Sequence, residues 1–485
     1  MLFRGGLYGL ALVLAVTVFA NVHSRKARQT VLLISSYVLY ISWGAWFVLV
    51  LLVSTGMNYA LGRWLRRKPS GLVLSLGILL NLVLLSTFKY LPEVAVASFF
   101  PPLQRFSHLV LPLGISFWTF QAMSYLFDLY REEEIDPSFV EFALYMVFFP
   151  VAISGPICRL TEMLLQFRSE RTFEWSEVGR GLSRIATGVL MIQLGKLLGR
   201  GILAGDGINS GFDHLTKWSG PDVWCLAFGY GLQLFFDFAG YSHIAIGGAR
   251  ILGITVPENF DVPFSSTTPS IFWTRWHMSL SFWIRDYVFV PLAIVRREMW
   301  WRNSLLVVSM VLFGLWHKAT VLFVLWGCYH GLLLLSHRQV QAVQRRLNIT
   351  PPTALWVPLS WIATASLVSL GWIFFRANSL SRAKEMMLAV LSPASYFSHN
   401  LSWSLYLMVL ALAAGYMIVL LVSELMVRYS VQPEQSLSSR QAILHFVVRN
   451  RWYWIPPLYV LALFLVSVVV LTQGDNAAQF MYRGF

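Results

Sequence analysis

The sequence predicts an all-α, polytopic membrane protein with about ten to twelve membrane helices, some of them short or re-entrant. Three observations predict it. Of 485 residues, 57% are hydrophobic and only 12% charged, against about 25% charged in soluble domains. Apolar runs long enough to cross lipid recur, as at Gly71–Tyr90, Arg180–Leu203 and Trp452–Leu471. The net charge of +14 is concentrated in short clusters between such runs: Arg25, Lys26 and Arg28; Arg63, Arg66, Arg67 and Lys68; Arg296, Arg297 and Arg302; Arg338, Arg345 and Arg346. The positive-inside rule produces that distribution. A nucleic-acid partner is therefore not expected, since the basic residues form no single patch.

Taken in order, Leu7–Ala20 reads as a retained first helix, because no small-residue cleavage site follows it. If the clusters at 25–28 and 63–68 share the cytoplasmic side, Thr30–Leu61 crosses twice, turning near Gly44, and the N-terminus lies outside. The longest polar stretches, Arg159–Glu177 and Tyr429–Arg440, hold one or two short helices each. No large soluble domain fits and no repeat is visible. Phe272–Leu292 reads as one interfacial or dipping helix, with His277, Ser281 and Arg285 on one face and Trp276, Leu280, Trp283 and Tyr287 on the other.

Basic clusters also bracket Asn303–Ser336, so this stretch should leave and re-enter the same side. Its arms, Asn303–Trp316 and Val321–Ser336, are about 14 and 16 residues, or about 21 to 24 Å, shorter than the roughly 30 Å hydrocarbon core. The tip, His317-Lys318-Ala319-Thr320, would stop inside the membrane. Charge at that depth requires partners or water, so a polar cavity is expected around His317.

A buried neutral imidazole can take a proton from a hydroxyl and return it. His317 is either such a base or a tunnel-lining ring held by a neighbour. The same choice applies to His277, whose alternative is an interfacial anchor among tryptophans, and to His330, where packing is favoured. His23, His337, His399 and His445 sit near segment ends and need no function. Asp237 is an intramembrane carboxylate that needs protonation or a donor, with His243 or an arginine as candidates. Cys158, Cys225 and Cys328 are too dispersed for a disulfide framework or a metal site. Walker, nucleophile-elbow and His-Glu-Xaa-Xaa-His motifs are absent, which leaves hydroxyl-to-acyl chemistry or proton-coupled transport.

Several blocks in order resemble the membrane-bound O-acyltransferase family, most nearly its bacterial alginate O-acetylation subgroup. They are Leu-Pro-Leu-Gly-Ile-Ser-Phe-Trp-Thr-Phe-Gln-Ala at 111–122, Phe-Phe-Pro-Val-Ala-Ile-Ser-Gly-Pro-Ile at 148–157 and Phe-Phe-Asp-Phe-Ala-Gly-Tyr-Ser at 235–242. Asn-Phe-Asp-Val-Pro-Phe at 259–264 follows, then Phe-Trp-Thr-Arg-Trp-His-Met-Ser-Leu-Ser at 272–281 with Arg-Asp-Tyr at 285–287. Gly-Leu-Trp-His at 314–317, Leu-Trp-Gly-Cys-Tyr-His-Gly at 325–331, Trp-Ile-Phe-Phe-Arg-Ala at 372–377 and the closing Gln-Phe-Met-Tyr-Arg-Gly-Phe complete the series.

The resemblance implies one domain over residues 1–485, with its catalytic core at about 108–377, built around a central tunnel. It implies that His317 is the essential active-site histidine and His277 the second motif position. Substrate contacts are expected from Trp276, Ser281, Arg285, Asp286, Trp316, Lys318, Asp237 and His330, which lie in or beside these blocks. No metal and no permanently bound cofactor is expected. The implied donor is acetyl-CoA or another acyl thioester from the cytoplasm, and the acceptor an extracytoplasmic polysaccharide or partner acetyltransferase. The implied location is the bacterial inner membrane, in contact with lipid. His317 acts either as base or as transient acyl carrier. The remaining rivals are a proton-coupled transporter and an acyl-transfer scaffold without its own catalysis. The chain departs from the family pattern at Lys318, where glycine is usual, at His243, where aspartate is frequent, and in its Tyr-Arg-Gly-Phe ending.

Overall fold

The computed structural model describes residues 2–21, 24–93, 104–169, 174–202, 206–348 and 352–430. The apolar run Trp452–Leu471, the stretch 431–440, His23, His445 and the closing block 479–485 lie outside the described residues. Within them the secondary structure is helical. In chain order the helices are α1 (Leu2–Asn21), α2 (Arg25–Ile41), α3 (Ala45–Arg67), α4 (Gly71–Lys89), α5 (Ile115–Tyr130), α6 (Phe139–Val147), α7 (Leu160–Arg168), α8 (Trp175–Arg200) and α9 (Ile208–His214). They continue as α10 (Gly220–Ile251), α11 (Pro269–Arg275), α12 (Met278–Ile284), α13 (Val290–Ala293), α14 (Met299–His317), α15 (Val321–Arg346), α16 (Thr353–Arg376), α17 (Leu380–Leu391) and α18 (Trp403–Ser430).

Seven of these, α3, α4, α10, α14, α15, α16 and α18, are long and apolar enough to cross a membrane. Large apolar side chains such as Leu49, Leu52, Leu76, Leu79 and Val83 remain exposed on α3 and α4, as lipid-facing positions require. The chain is a multi-pass, all-α membrane protein. Of the described residues, those up to Ile185 and from Tyr241 to Ala365 form one compact unit. Those from Ala186 to Gly240 and from Ser366 onward form a second.

The first unit is organised around α5, in which every residue except Phe127 and Tyr130 is buried. Such a helix packs on all sides; here α3 and α4 lie against it. Trp118, Tyr125, Phe142 and Tyr145 fill the adjoining core. Buried Asn58 of α3 and Asn81 of α4 exchange amide hydrogen bonds of 3.1 and 2.7 Å, so neither amide is left unsatisfied between the two apolar helices. The expected turn between α2 and α3 is present, and Gly44 holds it at φ 153°, a backbone angle that favours glycine.

Two expectations need correction. Phe272–Leu292 is not one helix. Trp276 is extended and His277 is left-handed at φ 42°, ψ 53°, which separates α11 from α12. A π-turn over Arg285–Phe289 then interrupts the path to α13. The predicted apolar face is nevertheless buried along the whole stretch: Trp276, Leu280, Trp283 and Tyr287 are all core residues. The kink turns His277 inward as well, while Arg285 stays exposed.

The second correction concerns the arms around His317. α14 begins at Met299 and α15 continues to Arg346. At 1.5 Å per residue α14 is about 28 Å long, close to the hydrocarbon thickness. Length alone therefore does not strand the tip halfway across. The tip itself falls where expected, since α14 ends at His317 and α15 starts at Val321.

In the second unit, carboxylates tie segments distant in sequence together. Asp222 accepts from the backbone N–H groups of Asn400 and Leu401 and from the Tyr406 hydroxyl at 2.6 Å. Both carboxylate oxygens of Asp213 accept from Arg376 Nη2 at 3.0 Å. Asp237 belongs to this unit; it faces Gly195, and its charged neighbour is Lys196.

Candidate active site

The first unit collects His277, His317 and His330 into one aromatic cluster. His317 closes α14 and is 7% exposed. Its ring stacks on Phe313 one turn earlier, with centroids 5.5 Å apart and planes 15° apart. The Trp316 and Trp326 rings stand edge-on to it at 4.7 and 5.9 Å. His277 packs on the same Phe313 and Trp316 at 6.1 and 5.9 Å. His330 sits one turn beyond Trp326, at 4.9 Å from its ring and 5.1 Å from Trp273. Of the expected residues, Trp316 packs directly on His317, while His277 joins it through Phe313 and Trp316 and His330 through Trp326.

His277 reaches this position because the chain breaks beneath it. The residue is 1% exposed, and burial pushes its pKa down to about 3, so its ring is neutral at neutral pH. Buried Asn259 holds the break. Its carbonyl accepts the Met278 N–H at 2.8 Å, its Oδ1 accepts the Ser279 hydroxyl at 2.6 Å, and its Nδ2 donates to Ser242 at 3.0 Å. The Ser281 hydroxyl donates to the Trp276 carbonyl at 3.0 Å. Arg285 pairs with its neighbour Asp286 at 2.7 Å, and Asp286 also faces Arg159 at 3.6 Å. These two residues are not among those lining the His317 cavity.

That cavity is about 150 Å³ and is lined by Phe88, Lys89, Tyr90, Pro92, Glu93, Leu109, Leu111, His317 and Lys318. A larger cavity of about 390 Å³ lies elsewhere in the unit, among Arg25, Arg28, Glu177 and Arg250, and contains no expected site residue. The smaller cavity is the one that borders the buried imidazole.

Sequence reasoning overlooked Lys89 and Tyr90. A lysine closing an apolar run reads as an interfacial anchor, yet Lys89 is only 8% exposed. Its ammonium donates to the Trp316 carbonyl and to Ser116 Oγ at 3.4 Å, and stands 4.7 Å over the Trp316 ring. The Tyr90 hydroxyl donates to the Leu315 carbonyl at 3.0 Å, and the Lys318 N–H to that of Gly314 at 3.2 Å. The final carbonyls of a helix ordinarily lack partners; here they anchor the turn that carries His317. A cation at that terminus also opposes the negative end of the helix dipole. Lys318, by contrast, is about half exposed and faces Glu93 at 3.8 Å, a pair of small energetic weight.

The model of the membrane-bound O-acyltransferase family matches residues 34–379. The chain belongs to that family. It is accordingly an O-acyltransferase. Among its relatives, the "Probable alginate O-acetylase AlgI" of Pseudomonas aeruginosa is 33% identical over 383 residues, covering 76% of this chain and 70% of that one. The peptidoglycan O-acetyltransferase of Helicobacter pylori is 31% identical over 396 residues, 73% of this chain and 72% of its own. The teichoic acid D-alanyltransferase of Bacillus subtilis is 30% identical over 281 residues, 55% and 69% respectively. In the family match as in the structure, the cluster around His317 falls within the shared region.

Proposed function

We propose that this membrane-bound O-acyltransferase moves an acetyl group from a cytoplasmic coenzyme A thioester to a hydroxyl outside the cytoplasm of a bacterium. The acceptor is a surface polysaccharide, or a partner acetyltransferase that relays the group to it. The observation that carries this reading is the placement of His317: a buried ring in apolar packing that also borders a cavity with two lysines and a glutamate. His317 takes the proton of the attacking hydroxyl as the new ester C–O bond forms, and returns it to the departing thiolate as the C–S bond breaks. Trp316 packs edge-on against the ring, and His277 packs on Trp316 and Phe313 beside it. Supporting the acetyl assignment, the alginate and peptidoglycan relatives are named for O-acetylation, and the three relatives are named for action on alginate, peptidoglycan and teichoic acid.

The test uses purified protein in lipid vesicles with labelled acetyl-CoA and cell-envelope extract. Wild-type protein should release coenzyme A and label the extract, and His317→Ala should lower turnover by at least about 10²-fold. Turnover unaffected by that substitution sinks the proposal. A transporter would instead show flux without consuming thioester.

A further inference from the structure

We propose that Lys89 is the oxyanion donor of this active site, an assignment that rests on acyl transfer at His317. Three observations lead to it. Lys89 is a buried cation at the end of α4, where an ammonium needs hydrogen-bonding partners and its charge is little screened. It borders the same small cavity as His317. An ammonium has three N–H donors; the Trp316 carbonyl and Ser116 take two, which leaves one for an oxygen in the cavity.

The chemistry calls for such a group. When the hydroxyl oxygen attacks the thioester carbon, the carbonyl π pair moves onto oxygen and the proton moves to His317. For that moment the site holds an oxyanion beside an imidazolium. A fixed N–H donor at the oxyanion stabilises the transition state without reorganisation. The pair then returns to re-form the carbonyl, the C–S bond breaks, and the thiolate receives the proton from His317. Lys89 gains and loses no proton in the cycle. Lys318 is the other cation at the cavity, but its side chain is 47% exposed, so water screens it. The two bonds that fix Lys89 also hold its head in place, whereas Lys318 is tied only to a half-exposed Glu93.

A purely structural role predicts something different. As a cap on α14 alone, Lys89 would lower thermal stability when replaced, with turnover per folded molecule unchanged. In the vesicle assay with labelled acetyl-CoA, Lys89→Met should lower kcat by about 10²- to 10³-fold while KM for acetyl-CoA stays within about threefold. A folded Lys89→Met protein with kcat within about threefold of wild type overturns the assignment, as does a loss confined to KM. If Lys89→Met does not fold, Lys89→Gln keeps an N–H for the Trp316 carbonyl without the charge, and the same two criteria apply to it. The two proposals fail separately. An active His317→Ala protein removes the acyl-transfer reading and Lys89 with it, whereas an inactive His317→Ala beside an active Lys89→Met removes Lys89 alone.

Discussion

At the scale of single residues, His277 occupies backbone space that side chains rarely adopt, with φ 42°. For a non-glycine residue this costs about 1 kcal/mol or more, and Asn259 and the packing around it must hold the residue there. The cost gives a direct expectation. His277→Gly should unfold at a higher temperature than His277→Ala, by the equivalent of about 1 kcal/mol, because glycine adopts the angle freely. Thermal unfolding in detergent checks it; equal stabilities would mean the backbone is not under strain. The residue itself stood out in the sequence as a histidine in a dense aromatic block. Its kink did not, because hydrophobic periodicity reports which side chains are buried, and burial of Trp276, Leu280, Trp283 and Tyr287 survives the break. Lys89 was missed for a related reason: only tertiary packing distinguishes a buried lysine from one reaching for the interface.

At the scale of elements, α14 and α15 approach closely along Gly327. A Cβ there would stand 2.5 Å from the Met310 carbonyl oxygen and from Val311 Cα, and backbone atoms cannot swing aside. Gly327→Ala should therefore destabilise the protein by about 1–3 kcal/mol, seen as a lowered midpoint in thermal unfolding, and an unchanged midpoint would contradict the packing. Elsewhere Ser138 and Glu141 form a capping box on α6, and Arg168 of α7 grips Glu141 with two bonds of 2.8 Å. Those bonds depress the Glu141 pKa to about 2 from 4.5. The folded-state value is the lower one, so the stabilisation is complete above about pH 4.5 and fades as pH falls toward 2. Relative to Glu141→Gln, wild type should gain about 1 kcal/mol at neutral pH, and urea titrations should show that margin closing across this interval. A margin independent of pH would refute the linkage. The sequence located the α14–α15 tip from bracketing charge, but not the helix lengths. Helical backbone continues through Arg302 at one end and through His337–Arg346 at the other, where polarity no longer distinguishes helix from loop.

At the scale of the whole molecule, the basic clusters predict an orientation. α3 ends in Arg66 and Arg67 and α15 in Arg345 and Arg346, so single cysteines placed at Arg67 and Arg345 should react with an impermeant maleimide from the same side. The reagent should reach both in inverted vesicles and neither in intact spheroplasts. Labelling from opposite sides would break the positive-inside argument. Cys158 and Cys225 are buried and Cys328 half-buried, so the native thiols give a low background. The all-α membrane class was plain from composition and apolar runs. The division into two compact units was not, because each unit is assembled from segments distant in sequence, and no local pattern marks such a partition.

The docking of Lys89 and Tyr90 onto the end of α14 joins positions more than two hundred residues apart. A transplant of residues 299–346 into another bundle would therefore carry the imidazole without its address. Such a graft should fail to hold His317 in place unless the 71–93 segment travels with it, because that segment supplies the anchor.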